Sequence, residues 1–488
     1  MRTETGVEAS DRDMLYFGGA WVRSKSSARR TILNASTEEA IGTVPDPNEE
    51  DVDAAVAAAR SAFDDRDGWA QWDPARRAEA MNRLADALEA RGQEAARTVS
   101  AQNGMPLQTA MAFEAGYPAF ALRYYAGLVA GSNSEERSGL FGGSTIVRRE
   151  PVGVVAAIVP WNFPQGLAAS KIAPALAAGC TVVLKPAPET ALDSFILGEA
   201  AVEAGFPAGV LNIVPAGSAT GEYLVSHPGI DKVSFTGSTA AGRHLAQLCG
   251  GLLRPITLEL GGKSAAILLE DAELTDSTRP ALFNATMLNN GQTCMLSTRI
   301  LAPRSRYGEV VDYLCTMANG LKVGNALDPE TEIGPLVSQR QRERVEAYIA
   351  KGIDDGARLV AGGGRPADQG KGYYVSPTIF ADVDNRSTIA QEEIFGPVLA
   401  VIAYDGEDEA VRLANESDYG LGGSVWSADV DHAVTVAERV RTGTIGINSY
   451  VADPGSPFGG VKSSGIGREM GPEALDAYQV FKSIYKTI

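Results

Sequence analysis

The run Asn290-Gly291-Gln292-Thr293-Cys294 and the upstream run Glu259-Leu260-Gly261-Gly262-Lys263-Ser264 place a thiol and a carboxylate on glycine-rich backbone. A thiolate attacks carbonyl carbon well, and a turn rich in backbone amides or positive charge supplies thiolate near neutral pH. A carboxylate close by can then activate water. The other cysteines, Cys180, Cys249 and Cys315, are scattered without paired or metal-type spacing. That usage reads as a reducing, cytoplasmic compartment with no disulfide framework, and burial is the ordinary fate of such thiols. The three histidines, His227, His244 and His432, stand apart from one another and from any cysteine pair, so no metal site is expected. His244 falls on an amphipathic helical stretch, where a surface or packing role outweighs service as a base for Cys294.

These groups need a scaffold, and 488 residues with 44% hydrophobic content can bury two or three cores. A formal net charge of −18 disfavours nucleic acid and anionic membrane as partners. The longest apolar runs, such as Val152 to Val159, are too short to span a bilayer, and residues 1 to 10 carry two glutamates without an apolar core. Asp51 to Phe63 and Pro74 to Val99 have helical periodicity. From Val152 onward, strand-like runs (Val152 to Val159, Thr181 to Leu184, Leu211 to Val214, Lys232 to Phe235) alternate with helical ones (Lys171 to Ala178, Ser194 to Ala204). This alternation predicts parallel strands joined by crossover helices, with a ligand crevice at the strand ends. A second set of signals starts near Ile256 to Leu269 and continues through Arg340 to Lys351, the Ile379 run, Val398 to Tyr404 and Gly443 to Ile447. The glycine-rich stretches 361–372 and 454–467 read as loops.

Phe235-Thr236-Gly237-Ser238-Thr239-Ala240-Ala241-Gly242 follows a strand and opens a helix, so its amides could face a pyrophosphate. Its G-x-x-x-x-G spacing departs from the usual dinucleotide fingerprint, and tight strand-to-helix packing explains the glycine equally well. Other stretches agree with a cofactor role: Pro160-Trp161-Asn162-Phe163-Pro164, Leu184-Lys185-Pro186, Leu258-Glu259-Leu260-Gly261-Gly262-Lys263, Gly291-Gln292-Thr293-Cys294, Glu392-Glu393-Ile394-Phe395-Gly396-Pro397 and Pro457-Phe458-Gly459-Gly460. With Phe235-Thr236-Gly237-Ser238 they stand in the order seen in the aldehyde dehydrogenase superfamily, which the chain resembles over nearly its whole length.

The resemblance implies an α/β fold with a Rossmann-like cofactor domain (1–127 and 152–260), an α/β catalytic domain (261–450), and oligomerisation or bridging segments (128–151 and 451–488). It makes Cys294 the nucleophile that forms a thiohemiacetal, and Glu259 the base that deacylates the later thioester. Asn162 and the Cys294 amide would form the oxyanion hole, where each donor is worth about 3 kcal/mol. Lys171 matches a lysine of proton relay or cofactor contact, in competition with a helix-surface position. Relatives that pass the acyl group to coenzyme A generally lack the base, so Glu259 favours hydrolysis to a free acid.

For the cofactor, NAD with NADP left open, the resemblance points to Lys185 and Glu393 as partners of the ribose hydroxyls. Ile158, Val159, Trp161, Gly217, Gly237, Ser238, Leu260 and Phe395 would line the site. Many NAD-preferring relatives carry a glutamate where this chain has Pro188, and no basic residue but Lys185 adjoins it in sequence; Glu189 could compensate. Phe163 and Phe458 suggest an apolar entrance, and Ser170 and Ala452 stand where bulky aromatics are common. Aromatic, terpenoid or medium to long aliphatic aldehydes are therefore expected over semialdehydes. The apolar positions of Val480 to Ile488 suit an edge strand that needs cover, in a homodimer or homotetramer. A non-catalytic relative would have lost Cys294, Glu259 or Asn162, and a cysteine hydrolase should show a histidine base.

Overall fold

Strands Val154–Ile158 (β1), Thr181–Lys185 (β2), Leu211–Ile213 (β3), Lys232–Thr236 (β4) and Ile256–Glu259 (β5) are buried along nearly all their length. Their apolar runs are what a parallel sheet covered on both faces requires. In the computed structural model, which describes residues 10–129 and 134–486, they pair in parallel in the order β5-β4-β1-β2-β3. Met14–Phe17 and Ala20–Arg23 extend one edge, and Gly465–Ile466 pairs antiparallel with β5 at the other. Expectations that fall on residues 1–9, 130–133 and 487–488 lie outside the described residues.

Alternation along β1 sends Val155 and Ala157 into a core with Met81, Leu84, Leu122, Ile172 and Leu176. Val154, Ala156 and Ile158 face the opposite layer, with Val52, Val56, Leu224 and Leu245. Helix Pro164–Ala178 (α1) is buried almost throughout, as an all-round apolar helix must be. Helices Leu192–Glu203 (α2) and Thr239–Gly251 (α3) follow β2 and β4. Chain order reverses between β1 and β4, because β2 and β3 are laid on one side of β1 while β4 and β5 lie on the other. Such a reversal is where an open α/β sheet is expected to take its ligand, beyond the carboxyl ends of β1 and β4.

The second sheet holds Ala265–Leu268 (β6), Arg299–Pro303 (β7), Thr378–Ala381 (β8), Val398–Tyr404 (β9) and Gly423–Trp426 (β10), parallel in the order β8-β9-β7-β6-β10. A third, exposed sheet pairs Ser134–Ser138 with Ser144–Pro151, and Gln479–Lys486 joins the far side of Ser144–Pro151. Phe481 and Tyr485 are exposed there. No helix among the described residues is long and apolar enough to cross a membrane.

Some elements differ from their sequence reading. The signals from Ile256 to Leu269 divide between sheets: β5 completes the first and β6 opens the second, with Leu260 to Ser264 crossing between them. Period-two patterning identifies a strand but not its sheet. The helical stretch from Pro74 to Val99 is two helices, Pro74–Ala90 and Gly92–Asn103, broken at Arg91. Of Gly443 to Ile447 only Gly446–Ile447 is strand. His244 is half exposed and faces Glu222 at 3.1 Å.

Arg299, at the start of β7, ties the crossing segment to the second sheet. It is 1% exposed, and its guanidinium donates to the carbonyls of Lys263, Leu413 and Ala414 and to Asn385 Oδ1, each at 2.9 Å. Two of those carbonyls end helix Glu407–Asn415, where a cation suits the helix dipole. Burial lowers the guanidinium pKa to about 10, which leaves it charged at neutral pH. Arg299→Ala strands these acceptors and should cost about 3–5 kcal/mol, read as a lower denaturant midpoint. Arg299→Lys should recover only part, since an ammonium cannot reproduce the planar fork.

Candidate active site

Three successive residues ahead of the thiol adopt the left-handed conformation: Asn289 (φ 53°), Asn290 (φ 60°) and Gly291 (φ 75°). Asparagine tolerates this region better than most side chains, and at Gly291 a Cβ would lie 2.1 Å from the Gly396 carbonyl oxygen. Buried amides hold the turn. Asn290 donates to the carbonyls of Gly104 (2.8 Å) and Pro335 (2.9 Å) and accepts from the Gly334 amide (2.7 Å), while Gln292 Oε1 accepts from Val337 (3.0 Å). Asn289 donates to the Asn162 carbonyl at 3.0 Å, and Asn162 Nδ2 donates to the Gln292 carbonyl at 3.0 Å. The turn that carries Cys294 is thus latched to the turn after β1 that carries Trp161 and Asn162.

Burial pushes the Cys294 thiol up, and the Glu393 and Glu259 carboxylates add to the rise; the amides of Cys294 and Met295 oppose it. Glu259, at the end of β5, is 3% exposed, and neither carboxylate oxygen has a hydrogen-bond partner among the described residues. Burial foremost, then the charge of Glu469, raises its pKa well above the carboxylate range, while Lys171 and Arg468 pull it down. Space for this carboxylate comes from Gly459, where a Cβ would lie 2.6 Å from Glu259 Oε1. Lys171 is not on a helix surface: it is fully buried and paired with Glu469.

Cys294 and Asn162 both line a cavity of about 190 Å³. Phe163, Phe458, Ser170 and Ala452 all belong to its wall, with Leu167, Met295 and Tyr450. Phe163 packs edge-on against Phe113 at 5.7 Å, and Ser170 Oγ is 2.9 Å from the Tyr117 hydroxyl. No arginine or lysine lines it among the described residues; the one charged residue type present is a glutamate, Glu114.

Most of the residues that the resemblance assigned to cofactor contact stand at or just after the carboxyl ends of β1 to β5, and Glu393 and Phe395 come from the segment before β9. Ile158 and Lys185 are partners across β1 and β2, and the Val159 amide donates to the Lys185 carbonyl at 3.2 Å. Lys185 Nζ donates to the carbonyls of Pro186 (2.9 Å) and Ala216 (2.7 Å), which leaves one proton uncommitted; burial lowers its pKa to about 8. Gly217 precedes helix Ser218–Ser226, and Gly237 and Ser238 lead into α3, which Ser238 caps. Leu260 packs where a Cβ at Gly242 would collide with it, at 2.4 Å. Trp161 and Phe395 stand edge to face at 5.3 Å. Glu393 Oε1 accepts from the Gly262 amide at 3.0 Å, and burial raises its pKa to about 7. Near Lys185 the fold adds a cation that sequence adjacency did not reveal: Arg30, whose Nη2 would lie 3.8 Å from a Cβ at Gly217. Arg30 is bound to Asp46 at 2.8 Å, and Glu189 faces Arg340 at 3.4 Å.

Several residues of this site escaped the sequence reading. Paired asparagines before a glycine are a signal for left-handed turns that could have been used. Glu469, Tyr450 and Glu114 lie in segments with no local signal, and only the fold brings them in.

The pattern of the Aldehyde dehydrogenase family matches residues 21–484. Geranial dehydrogenase of Castellaniella defragrans is 57% identical over 476 residues, covering 97% of this chain and 99% of that protein. Phenylacetaldehyde dehydrogenase of Pseudomonas fluorescens is 40% identical over 479 residues, covering 96% and 95%. Among solved structures, a Mycobacterium tuberculosis aldehyde dehydrogenase complexed with NAD+ superposes with a TM-score of 0.95 at 49% identity, covering 98% of this chain and 99% of that one. The chain belongs to the aldehyde dehydrogenase family and is an enzyme that oxidises aldehydes.

Proposed function

We propose that the protein oxidises apolar aldehydes, of aromatic, terpenoid or medium to long aliphatic type, to carboxylic acids with NAD, using Cys294 as nucleophile and Glu259 as base. The observation that carries this reading is the thiol of Cys294 in the wall of a largely apolar cavity that no arginine or lysine lines among the described residues, within the field of a buried carboxylate that has no hydrogen-bond partner among them. The names of the geranial and phenylacetaldehyde relatives support the substrate class.

The crevice residues fit a dinucleotide. Lys185 has a spare proton and Glu393 a spare oxygen for ribose hydroxyls, the first amides of α3 can hold a pyrophosphate, and Gly221 keeps a Cβ from the Lys185 stem, 3.0 Å away. Ile158, Val159, Trp161, Gly217, Gly237, Ser238, Leu260 and Phe395 would form the walls. When bound, NAD supplies the hydride acceptor for the oxidation. NADP stays open, since Pro188 offers no charge against a 2′-phosphate and Arg30 stands nearby in its pair with Asp46.

In this reading the Cys294 sulfur, once deprotonated, bonds to the aldehyde carbon, and the carbonyl oxygen becomes an oxyanion. The Asn162 amide and the Cys294 N–H take up that charge. After oxidation the acyl group is a thioester on Sγ. Glu259 takes a proton from water, the hydroxide adds to the acyl carbon, and the thiolate leaves. Lys171 offsets Glu469 and so limits the rise of the Glu259 pKa. Domain boundaries follow the same reading, with residues 1–127 and 152–260 around the cofactor, 261–450 carrying Cys294, and 128–151 with 451–488 bridging. Gln479–Lys486 against Ser144–Pro151 supports a homodimer or homotetramer.

Turnover should be measured as nicotinamide reduction over a panel of aldehydes, with NAD and NADP in parallel. Cys294→Ala should abolish it, and preference for succinic semialdehyde would sink the apolar reading. Glu259→Gln should give a burst of about one reduced cofactor per site and then stall at the thioester; steady turnover in that variant refutes the base. The pH profile carries a sign. A base with a raised pKa is ionised only above it, so deacylation should climb with pH beyond the range of an ordinary carboxylate. Glu469→Gln removes a charge that raises that pKa and should move the acid limb to lower pH.

A further inference from the structure

Glu114 sits in the five-residue π-helical turn Met111–Ala115, between helix Leu107–Ala110 and helix Tyr117–Leu128. Such a turn shifts the register and can aim inward a side chain that a regular helix would not. Glu114 is 1% exposed. Its Oε2 accepts from the amides of Gln165 (2.7 Å) and Gly166 (3.4 Å), in the first turn of α1. Its Oε1 has no partner among the described residues, lies 3.1 Å from where a Cβ at Gly166 would stand, and belongs to a residue that lines the same cavity as Cys294. An acid with one oxygen tied to a helix N-terminus and the other unsatisfied beside apolar rings is more than the cap requires.

We propose that Glu114 is a specificity-determining residue of the aldehyde cavity, whose free oxygen selects against substrates with a carboxylate in the tail and favours uncharged ones. This rests on the reading of the cavity as the aldehyde site. Burial first, and Asp193 second, push Glu114 up to about 8, against the two amides that pull it down. Because Oε2 accepts both amide protons, the acid proton belongs on Oε1. Below that range Glu114 is a neutral acid in the cavity wall; above it, a carboxylate whose charge is offset only by the two amides on Oε2 and is felt by a substrate tail beside it.

Few other charges face this group. Asp193, on α2, accepts from Gln165 and Gln102, is raised by burial to about 7, and does not line the cavity. Tyr117, on the following helix, is pushed up to about 12 by burial and stays neutral. On α1, Lys171 is committed to Glu469, and on Gly92–Asn103 the residues Glu94 and Arg97 are exposed.

The test is competition between ω-oxo carboxylates and their methyl esters, from succinic semialdehyde to a chain of about ten carbons, at about pH 6 to 9. The ratio of kcat/KM values within each pair cancels every enzyme ionisation common to both substrates. For the length that brings the tail to Glu114, preference for the ester should rise with pH by about tenfold or more, the scale of an unpaired like charge a few ångströms away. In Glu114→Gln, whose amide keeps the cap without charge, the ratio should be flat. A flat ratio for the wild type at every length, or an unchanged rise in Glu114→Gln, overturns the proposal. If no ester is turned over, the reading of the cavity fails instead, and this inference with it.

Discussion

A side chain at residue 262 would put its Cβ 2.4 Å from the Cys294 carbonyl oxygen, and one at 261 would meet the Glu393 carboxylate at 2.6 Å. Much of the site depends on this contact between bare backbone and the thiol turn. The chain leaves the first sheet at Glu259 and enters the second at Ala265, and only glycines let the crossing pass close enough to fix Cys294 beside Glu259. Arg299 then gathers the Lys263 carbonyl into the second sheet, so the two sheets share one rigid junction.

The site holds buried charges with unequal compensation. Lys171 and Glu469 are paired, Arg299 is met by carbonyl dipoles, and Glu259 has the fields of Lys171 and Arg468 but no hydrogen bond among the described residues. An unpartnered buried carboxylate is costly to fold around. Burial and the charge of Glu469 therefore push the Glu259 pKa up, and the charges of Lys171 and Arg468 oppose that rise.

Much of this was legible in the sequence, for identifiable reasons. Strands β1 to β4 are short runs rich in apolar and β-branched residues closed by glycine or proline, and they lie where such runs predict them. Cys294, Glu259 and Asn162 sat in short motifs, so their gathering followed from family resemblance. What stayed hidden depends on tertiary approach. No local pattern marks Glu469 as the partner of Lys171, or Arg30 as a neighbour of Lys185. The burial of Lys171 was also invisible, because on α1 the apolar residues run all the way round and give no exposed face to read.

The end of the chain does more than cover an edge. Gly465 pairs with Glu259, Glu469 holds Lys171, and the Tyr478 hydroxyl bonds Ser234 at 3.1 Å while its carbonyl receives the Val152 amide at 2.9 Å. During synthesis the nucleophile and base emerge long before these residues do. A nascent chain therefore carries a thiol and a carboxylate whose electrostatic setting is incomplete until its closing segment docks.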